Sequence, residues 1–213
     1  MSSLAPALLR PKVLPPLPIA IHRFTVAQYH RMIATGLLTE EDRVELLEGW
    51  IVDKMPQHPA HASSISILLA RLQTKLPKGW IVRVQSPITL EDSEPEPDLA
   101  IVTGPEEKYR AAHPALDDLA LIIEVADTSL ENDRGSKMRM YAGARVPVYW
   151  IVNLNERHIE VYTEPKGGKS PAYRRRADVA IDGKIPLILN GKEMGQISVL
   201  DLFPPQAVDG NKG

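Results

Sequence analysis

The spacing of apolar residues predicts two helices and a hairpin in the first third of the chain. Thr25 can cap a short helix over TVAQYHRMIATG, which Gly36 would end. Two short apolar runs in RVELLEGWIVDKM flank Glu48-Gly49, a pair typical of a hairpin turn. Apolar residues of HASSISILLARLQTKL recur at helical spacing, at Ile65, Leu68, Leu69, Leu72 and Leu76.

Strand patterns dominate the centre of the chain. WIVRVQSPITL alternates, whereas PDLAIVT and LALIIEVA are short apolar runs bounded by breakers, as expected of strands buried on both faces. A helical segment follows over approximately residues 130–144, and then VPVYWIVN and HIEVYTE can pair as two strands. Shorter strands end near ISVLDLF. This order predicts an α/β or α+β fold, in which a central mixed sheet carries helices on its faces.

The pattern weakens at both ends of the chain. Residues 1–20 are Pro-rich and are predicted to form a flexible arm, and the polar residues 206–213 a disordered tail. Residues 21–205 are predicted to form a single domain. No apolar run approaches the roughly 20 residues that span a bilayer, and the N-terminus lacks the order of a secretory signal. We therefore expect a cytoplasmic protein.

Composition and charge limit the function classes. The chain has 213 residues, a net charge of −2 and no cysteine, which excludes disulfides and thiolate metal sites. Proteins that hold nucleic acid mainly by neutralising phosphates usually show a strong basic excess, so any such contact here must depend on local patches. The densest patch is Arg174, Arg175 and Arg176, whose pattern favours a solvated loop or an edge strand. Gly-rich phosphate loops and G-x-S-x-G or H-E-x-x-H motifs are absent from the sequence.

Two acidic residues stand at the ends of the buried-type strands. Asp98 begins PDLAIVT, where alternation places it on one face with Ala100 and Val102. Glu124 follows five consecutive apolar residues, and a carboxylate there is costly unless it is paired or binds a cation. Each residue alone can be a strand-end acid that reaches solvent or pairs with an arginine. Both together, followed by a helix with a polar face, favour a shared acidic site.

The helix after the second acid supplies a basic residue. Asp133, Lys137 and Tyr141 share one face at i, i+4 and i+8, which also fits a surface Asp–Lys pair. Inward packing of Met138 and Tyr141 would instead bring Lys137 to the margin of the core. Mg²⁺ usually takes one or two carboxylates together with waters and phosphate oxygens. It lowers the pKa of an attacking water, and a nearby lysine can offset developing negative charge, so the two acids and the lysine form a near-minimal phosphodiesterase set.

Several of these segments together resemble the putative restriction endonuclease family of bacteria, within the PD-(D/E)xK nuclease superfamily. The similarity runs from about residue 24 to residue 162 and includes ELLEGWIVDKMP, VQSPITL, PEPDLAIV, LIIEVAD, DRGSKMRMYA and VPVYWIVN. It implies a restriction endonuclease-like fold and a Mg²⁺-dependent DNA endonuclease, for which Mn²⁺ can substitute. The alternative is a weak or inactive nuclease-fold module that binds nucleic acid or a protein partner.

Carried over residue by residue, the PD aspartate of the family matches Asp98 and the (D/E) glutamate matches Glu124. The usual lysine two residues later is absent, because position 126 is alanine. The resemblance implies that Lys137 on the following helix takes its place. Endonucleases that cut both strands commonly need two sites, so the resemblance also leaves room for a homodimer, with the WIVN segment as an exposed strand that could support it.

Five further residues are given metal-binding or supporting roles. Glu45 matches a recurrent acid of the family and can complete the metal site or be a surface acid. His61 resembles a helix-borne histidine that some superfamily nucleases use as an extra metal ligand. Gln85, in the middle of the VQSPITL strand, can hydrogen-bond water or phosphate or be satisfied within the sheet. Tyr141, with Asp133 one helical turn before Lys137, can orient that lysine or only pack.

Overall fold

The computed structural model describes residues 20–55 and 58–204. The predicted tail over residues 206–213 lies outside these ranges, as does the predicted arm over residues 1–20 except for Ala20. The extent of the single domain over residues 21–205 therefore stays a prediction. Within the described ranges, no helix has both the length and the apolar character needed to cross a membrane.

Helices and strands follow one another along the chain in the predicted order. The elements are α1 (Val26–Ala34), β1 (Val44–Leu47), β2 (Trp50–Asp53), α2 (Pro59–Gln73), β3 (Trp80–Val84), β4 (Leu99–Thr103), β5 (Leu119–Ala126), α3 (Leu130–Asn132), α4 (Met138–Gly143), β6 (Val148–Asn153), β7 (His158–Lys166), β8 (Ala172–Ala180), β9 (Lys184–Leu189) and β10 (Lys192–Ser198). Thr25 caps α1, because its hydroxyl accepts the N–H of Gln28 while the Gln28 side chain accepts the N–H of Thr25. Glu48 and Gly49 form the β1–β2 turn with φ angles of 47° and 78°.

A six-stranded mixed sheet forms the centre of the described chain, in the order β3-β4-β5-β6-β7-β8. The β5–β6 pair is parallel, and the other neighbouring pairs are antiparallel. Both parallel strands are buried along their whole length, which explains their uninterrupted apolar sequences. The predicted mixed sheet flanked by helices, and the pairing of VPVYWIVN with HIEVYTE, are confirmed.

Side-chain alternation along β4 divides the core into two layers. Leu99 and Ile101 pack into a layer with α2 and the β9–β10 hairpin. Ala100 and Val102 pack into the opposite layer, with α4. The alternation predicted from PDLAIVT is therefore present, and it assigns Asp98 to the α4 side of the sheet. Glu124 of β5 also faces that side, since its neighbours Ile123 and Val125 belong to the α2 layer.

The helix after β5 is not regular. The predicted helical segment over residues 130–144 is present, but residues Asp133–Lys137 form a π-helical turn between α3 and α4. Such wider turns inside helices occur frequently at functional sites. The spacing of apolar residues in a segment this short does not distinguish one wider turn from a regular helix.

Other local predictions are corrected or refined by the structure. The strand predicted over WIVRVQSPITL ends at Val84, and Gln85 follows it with a φ of 44°, so Gln85 is not in the middle of a strand. The WIVN segment, predicted to be an exposed strand for dimerisation, belongs to β6, which is buried and paired on both sides. A homodimer stays a prediction without that surface. Arg174, Arg175 and Arg176 lie exposed on the edge strand β8, as their pattern indicated.

Candidate active site

A cleft of about 520 Å³ lies between the β1–β2 hairpin, the start of α2, the adjoining ends of β4 and β5, and the helical segment after β5. Most of the side chains predicted to form the site line it: Glu45, His61, Gln85, Asp98, Glu124 and Lys137. The remaining two, Asp133 and Tyr141, are buried and contact lining residues from behind. The tertiary structure thus brings all eight predicted side chains to one place.

Sheet register places the two predicted acids side by side. Leu99 of β4 pairs with Ile123 of β5, so Asp98 lies next to Glu124 across the antiparallel pair. The N–H of Val125 donates to Asp98 Oδ2 at 2.8 Å, and the Asp98 N–H points at Glu124 Oε2 at 3.4 Å. The positions of both carboxylates are therefore fixed by backbone groups of the paired strands.

Lys137 contacts Glu124 of the acid pair and Asp133 of its own helical segment. Its Nζ lies 3.0 Å from Glu124 Oε2 and 3.6 Å from Asp133 Oδ1. Burial by itself lowers the pKa of Lys137, but the charges of Glu124 and Asp133 outweigh burial and raise that pKa above its usual value. The side chain is therefore an ammonium at neutral pH, and its replacement of the missing strand lysine stays a prediction.

Glu124 is the most strongly perturbed acid of the cleft. The residue is 1% exposed, and burial raises its pKa to about 8; Lys137 opposes this shift, and the charges of Asp98 and Asp133 reinforce it. Tyr141 donates its hydroxyl to Glu124 Oε1 at 2.8 Å. Tyr141 therefore contacts Glu124 through its hydroxyl, while its ring packs in the buried layer with α4.

The π-helical turn holds Asp133 in a buried position. Ser129 donates its hydroxyl to Asp133 Oδ2 at 2.5 Å, and Tyr149 donates to the backbone carbonyl of Asp133 at 3.1 Å. Burial raises the pKa of Asp133, while Lys137 and Ser129 oppose the rise. These contacts fix the turn that carries both Asp133 and Lys137.

His61 and Gln85 both lie against Asp98. His61 Nε2 is 3.0 Å from Asp98 Oδ2, a hydrogen bond that raises the pKa of His61 above its usual value despite partial burial. The Gln85 amide nitrogen is 3.5 Å from Asp98 Oδ1, a long contact. Nδ1 of His61 is buried and has no hydrogen-bond partner among the described residues. His61 therefore contacts Asp98 through Nε2, and its role as an extra metal ligand stays a prediction.

Glu45 is anchored by the segment that precedes Asp98, and its role as a metal ligand stays a prediction. Its Oε2 accepts the N–H of Glu96 at 3.0 Å, and Lys54 lies 2.5 Å from Glu96 Oε1. Burial raises the pKa of Glu45, with Glu96 and Lys137 opposing. Within residues 20–55 and 58–204, no three His, Asp or Glu side chains are grouped closely enough to hold a metal ion by themselves. In the arrangement described, fewer than three such side chains are placed to meet one ion.

The acid pair fits Mg²⁺ under that restriction. Mg²⁺ is commonly bound through one or two carboxylates, with waters and substrate phosphate oxygens filling its other positions. Burial, and after it the negative charges of Asp98 and Asp133, raise the pKa of Glu124, and the one ammonium nearby does not offset them. A divalent cation would supply the missing charge.

Two arginines and a glutamate that the sequence did not indicate lie at the hairpin side of the cleft: Arg23, Arg139 and Glu48. Arg139 contacts Glu48 through two bonds, Nε to Oε1 at 3.2 Å and Nη2 to Oε2 at 2.6 Å. Arg23 donates to the Glu48 carbonyl at 3.3 Å, and its guanidinium lies 5.4 Å from the centre of the Trp50 ring. A stripe of polar residues at helical spacing could have indicated the cleft side of the helix: Asn132, Ser136 and Arg139.

The fold and the arrangement of acids and lysine define the class of protein: it has a restriction endonuclease-like fold. Residues 26–182 match the family model of Uma2, described as putative restriction endonuclease, and since this match covers more than half of the chain, the chain belongs to that family. Membership supports a nuclease function. The resemblance noted in the sequence is thereby confirmed.

A solved structure of another protein is similar to the chain. The chain is similar to a putative nuclease of DUF820 from Anabaena variabilis, with 17% identity and a TM-score of 0.60 over 84% of this chain and 97% of that one. At this level of identity the likeness shows a shared fold. No curated protein matches the chain.

Proposed function

We propose that this protein is a divalent-metal-dependent nuclease that hydrolyses phosphodiester bonds of DNA. The observation that carries the proposal is the meeting of Asp98, Glu124 and Lys137 in one cleft, with the ammonium 3.0 Å from Glu124. Family membership and the shared fold support the same reaction class. Their agreement with the chemistry of the side chains is what favours a nuclease over another phosphate-ester hydrolase.

Asp98 and Glu124 are the residues that would hold Mg²⁺ or, in its place, Mn²⁺. When bound, such an ion supplies charge that polarises the phosphodiester and lowers the pKa of an attacking water. His61 keeps Asp98 in position through its 3.0 Å contact, and Tyr141 does the same for Glu124 at 2.8 Å. The carboxylate of each acid is therefore held in position by a hydrogen bond from a neighbouring side chain.

Lys137 acts on the substrate side of the acid pair. Its ammonium can offset the negative charge that develops on the phosphoryl oxygens, or orient the attacking water. Asp133 and Glu124 keep the lysine protonated and hold it in place, since both carboxylates raise its pKa. Gln85, at the end of β3, can donate to a water or a phosphate oxygen beside Asp98.

Cleavage of supercoiled plasmid in Mg²⁺ or Mn²⁺, with EDTA as the blank, tests the proposal. We expect Asp98→Asn and Glu124→Gln to lower the rate by about 10³-fold, because each removes charge that binds the ion. Lys137→Met should lower the rate similarly and still bind Mn²⁺ in a calorimetric titration. Glu164→Gln, which removes an exposed acid on β7, is the matched control and should cleave like the parent.

Two results would contradict the proposal. One is cleavage at the parent rate by both Asp98→Asn and Glu124→Gln, with thermal denaturation showing that they are folded. The other is a parent protein that binds no Mn²⁺ at millimolar concentration in the presence of DNA. The second result would favour the alternative, a nuclease-fold module that binds nucleic acid or a protein without cutting it.

A further inference from the structure

The tip of the β1–β2 hairpin places a carboxylate in the cleft. Glu48 occupies the first turn position with a φ of 47°, and its side chain is 26% exposed. The tip is fixed from behind, since the Glu48 N–H donates to Ser93 Oγ at 2.8 Å and the Gly49 N–H donates to the Asp92 carbonyl at 2.9 Å. Glu48 is therefore presented to the cleft by a well-anchored turn.

Arg139 holds that carboxylate from the opposite wall. Two guanidinium nitrogens of Arg139, on α4, contact the two carboxylate oxygens of Glu48, on the hairpin. This side-by-side geometry is the one in which arginine also binds phosphate. Because both residues line the same cleft as Asp98 and Glu124, a phosphate in place of the Glu48 carboxylate would be in the cleft that holds the acid pair.

A second guanidinium lies at the same place. Arg23 donates to the Glu48 carbonyl at 3.3 Å and lies over the Trp50 ring, so it is held at the hairpin tip without using the Glu48 carboxylate. Both arginines thus contact Glu48, Arg139 at the carboxylate and Arg23 at the backbone carbonyl. Displacement of the carboxylate would leave two positive charges facing the cleft, an arrangement suited to an anion.

We propose that Arg139 and Arg23 form a phosphate subsite that binds the nucleic-acid backbone beside the cleaved bond, and that Glu48 fills this subsite in the free protein. The chemical class of the ligand rests on the proposed function. Glu48 then acts as an internal competitor, which a backbone phosphate must displace before the strand can lie along the cleft.

The weakness of the Glu48–Arg139 pair makes this exchange feasible. Arg139 is 49% exposed, and exposed ion pairs contribute little to stability because solvent screens them and side-chain ordering opposes them. A phosphodiester that takes over both arginine bonds would therefore lose little in displacing the carboxylate. A pair with a fully buried carboxylate, such as Arg134–Glu160, does not offer this exchange, since a lost partner leaves an uncompensated buried charge.

The test measures binding of a fluorescein-labelled single-stranded 12-mer DNA to the full chain by anisotropy in EDTA, where metal-dependent cleavage cannot occur. Glu48→Gln should tighten binding by about three-fold, because it removes the charge of a weakly held competitor. Arg139→Ala should weaken binding by about ten-fold and reduce the slope of log K against log salt by about one. When Glu48→Gln is added to the Arg139→Ala variant, it should tighten DNA binding by less than about half as much as it does in the parent protein.

Glu164→Gln is the matched control. Glu164 pairs with Arg175 at 2.8 Å on the edge of the sheet, so this variant also removes one acid from an arginine pair, away from the cleft. Its binding should equal that of the parent. Melting temperatures of all variants establish that they are folded, and Arg139→Gln replaces Arg139→Ala should the latter be unstable.

Each outcome decides the inference. Parent-like binding by both Glu48→Gln and Arg139→Ala overturns it, and so does an equal gain in Glu164→Gln, which would reflect overall charge alone. The expected binding pattern in a protein that never cleaves DNA supports the subsite and contradicts the proposed nuclease activity. Metal-dependent cleavage that is lost in Asp98→Asn, with DNA binding unaffected by Glu48 and Arg139 variants, contradicts the subsite alone.

Discussion

Two glutamates of the central sheet have almost no solvent exposure, and their pKa values are shifted in opposite directions. Glu124 on β5 and Glu160 on β7 both pair with Ile151 of β6, so they lie in one row across the sheet. They are 1% and 0% exposed. The pKa of Glu124 is raised to about 8, whereas the pKa of Glu160 is lowered. Burial alone therefore does not decide the charge of either acid.

The surroundings of Glu160 compensate its charge. Burial raises its pKa, but Arg134 and Tyr162 outweigh burial, with a further contribution from Arg176. Arg134 donates Nε and Nη2 to Oε1, the former at 2.8 Å, and Tyr162 donates to Oε2 at 2.6 Å. Arg176 lies 3.3 Å from Oε2. Glu160 is a carboxylate that ties β7 to β8 and to the helix.

The surroundings of Glu124 leave its charge undercompensated. Lys137 is the one cationic side chain within ion-pair distance of it in the described chain, and Asp98 and Asp133 add negative charge. A buried acid in this state is destabilising unless it is protonated or a further cation binds. The comparison separates an acid whose charge is compensated within the fold from one whose charge is not, and the second acid lies in the cleft.

The largest expected effect is on stability. Glu160→Gln should lower the free energy of unfolding by about 2 kcal/mol, because it leaves Arg134 and Arg176 without their buried partner, an effect reduced by the partial exposure of both arginines. Glu124→Gln should change it by less than about 1 kcal/mol in EDTA at pH 8, since it removes an undercompensated charge. Urea unfolding measures both. Equal destabilisation by the two variants would remove the distinction between the two acids.

The pH dependence of stability should differ in sign between the two acids. Folded Glu124 keeps its proton between its ordinary pKa of 4.5 and about 8, where the unfolded chain has lost it, so its contribution to stability falls as pH rises through this interval. Glu160 has a lowered pKa, so its contribution is present above the ordinary pKa and is lost as pH falls. Subtracting each variant's free energy of unfolding from that of the metal-free parent isolates these terms. A Glu124 difference that rises from pH 5 to 8 would contradict the assigned shift.

The smallest expected effect concerns the hydrogen bond that Tyr141 makes to Glu124. Tyr141→Phe should cost about 1 kcal/mol of stability and weaken Mn²⁺ binding by about three-fold, because loss of the donor disfavours the charged carboxylate. Tyr149→Phe is the matched control, since its hydroxyl lies in the same buried layer but bonds to the Asp133 carbonyl. It should lower stability without changing Mn²⁺ affinity. Calorimetric titration at pH 7 distinguishes the two, and equal affinities would mean that Tyr141 only packs.

Much of the site could be predicted because its signals are local. Asp98 and Glu124 each stand at the end of an apolar run, and strand alternation places Asp98 on the correct face. Lys137 follows on the next helix, and the family resemblance singled it out when position 126 proved to be alanine. The sequence did not reveal the partner of Tyr141 or the position of Gln85 beyond its strand, because these depend on neighbours from other elements.

The sequence by itself determined the mixed sheet, the helices on its faces and the residues that form the acid pair, since apolar periodicity and strand-end charges are properties of short segments. Only the tertiary structure decided which buried glutamate is compensated, where the π-helical turn lies and which arginine meets Glu48. Glu124 and Glu160 read alike along the chain, each being an acid within an apolar strand. What distinguishes them is the set of charges that other elements bring near, and no local pattern records that set. The same holds for Glu48 and Arg139, which contact each other although they are 91 residues apart in the sequence.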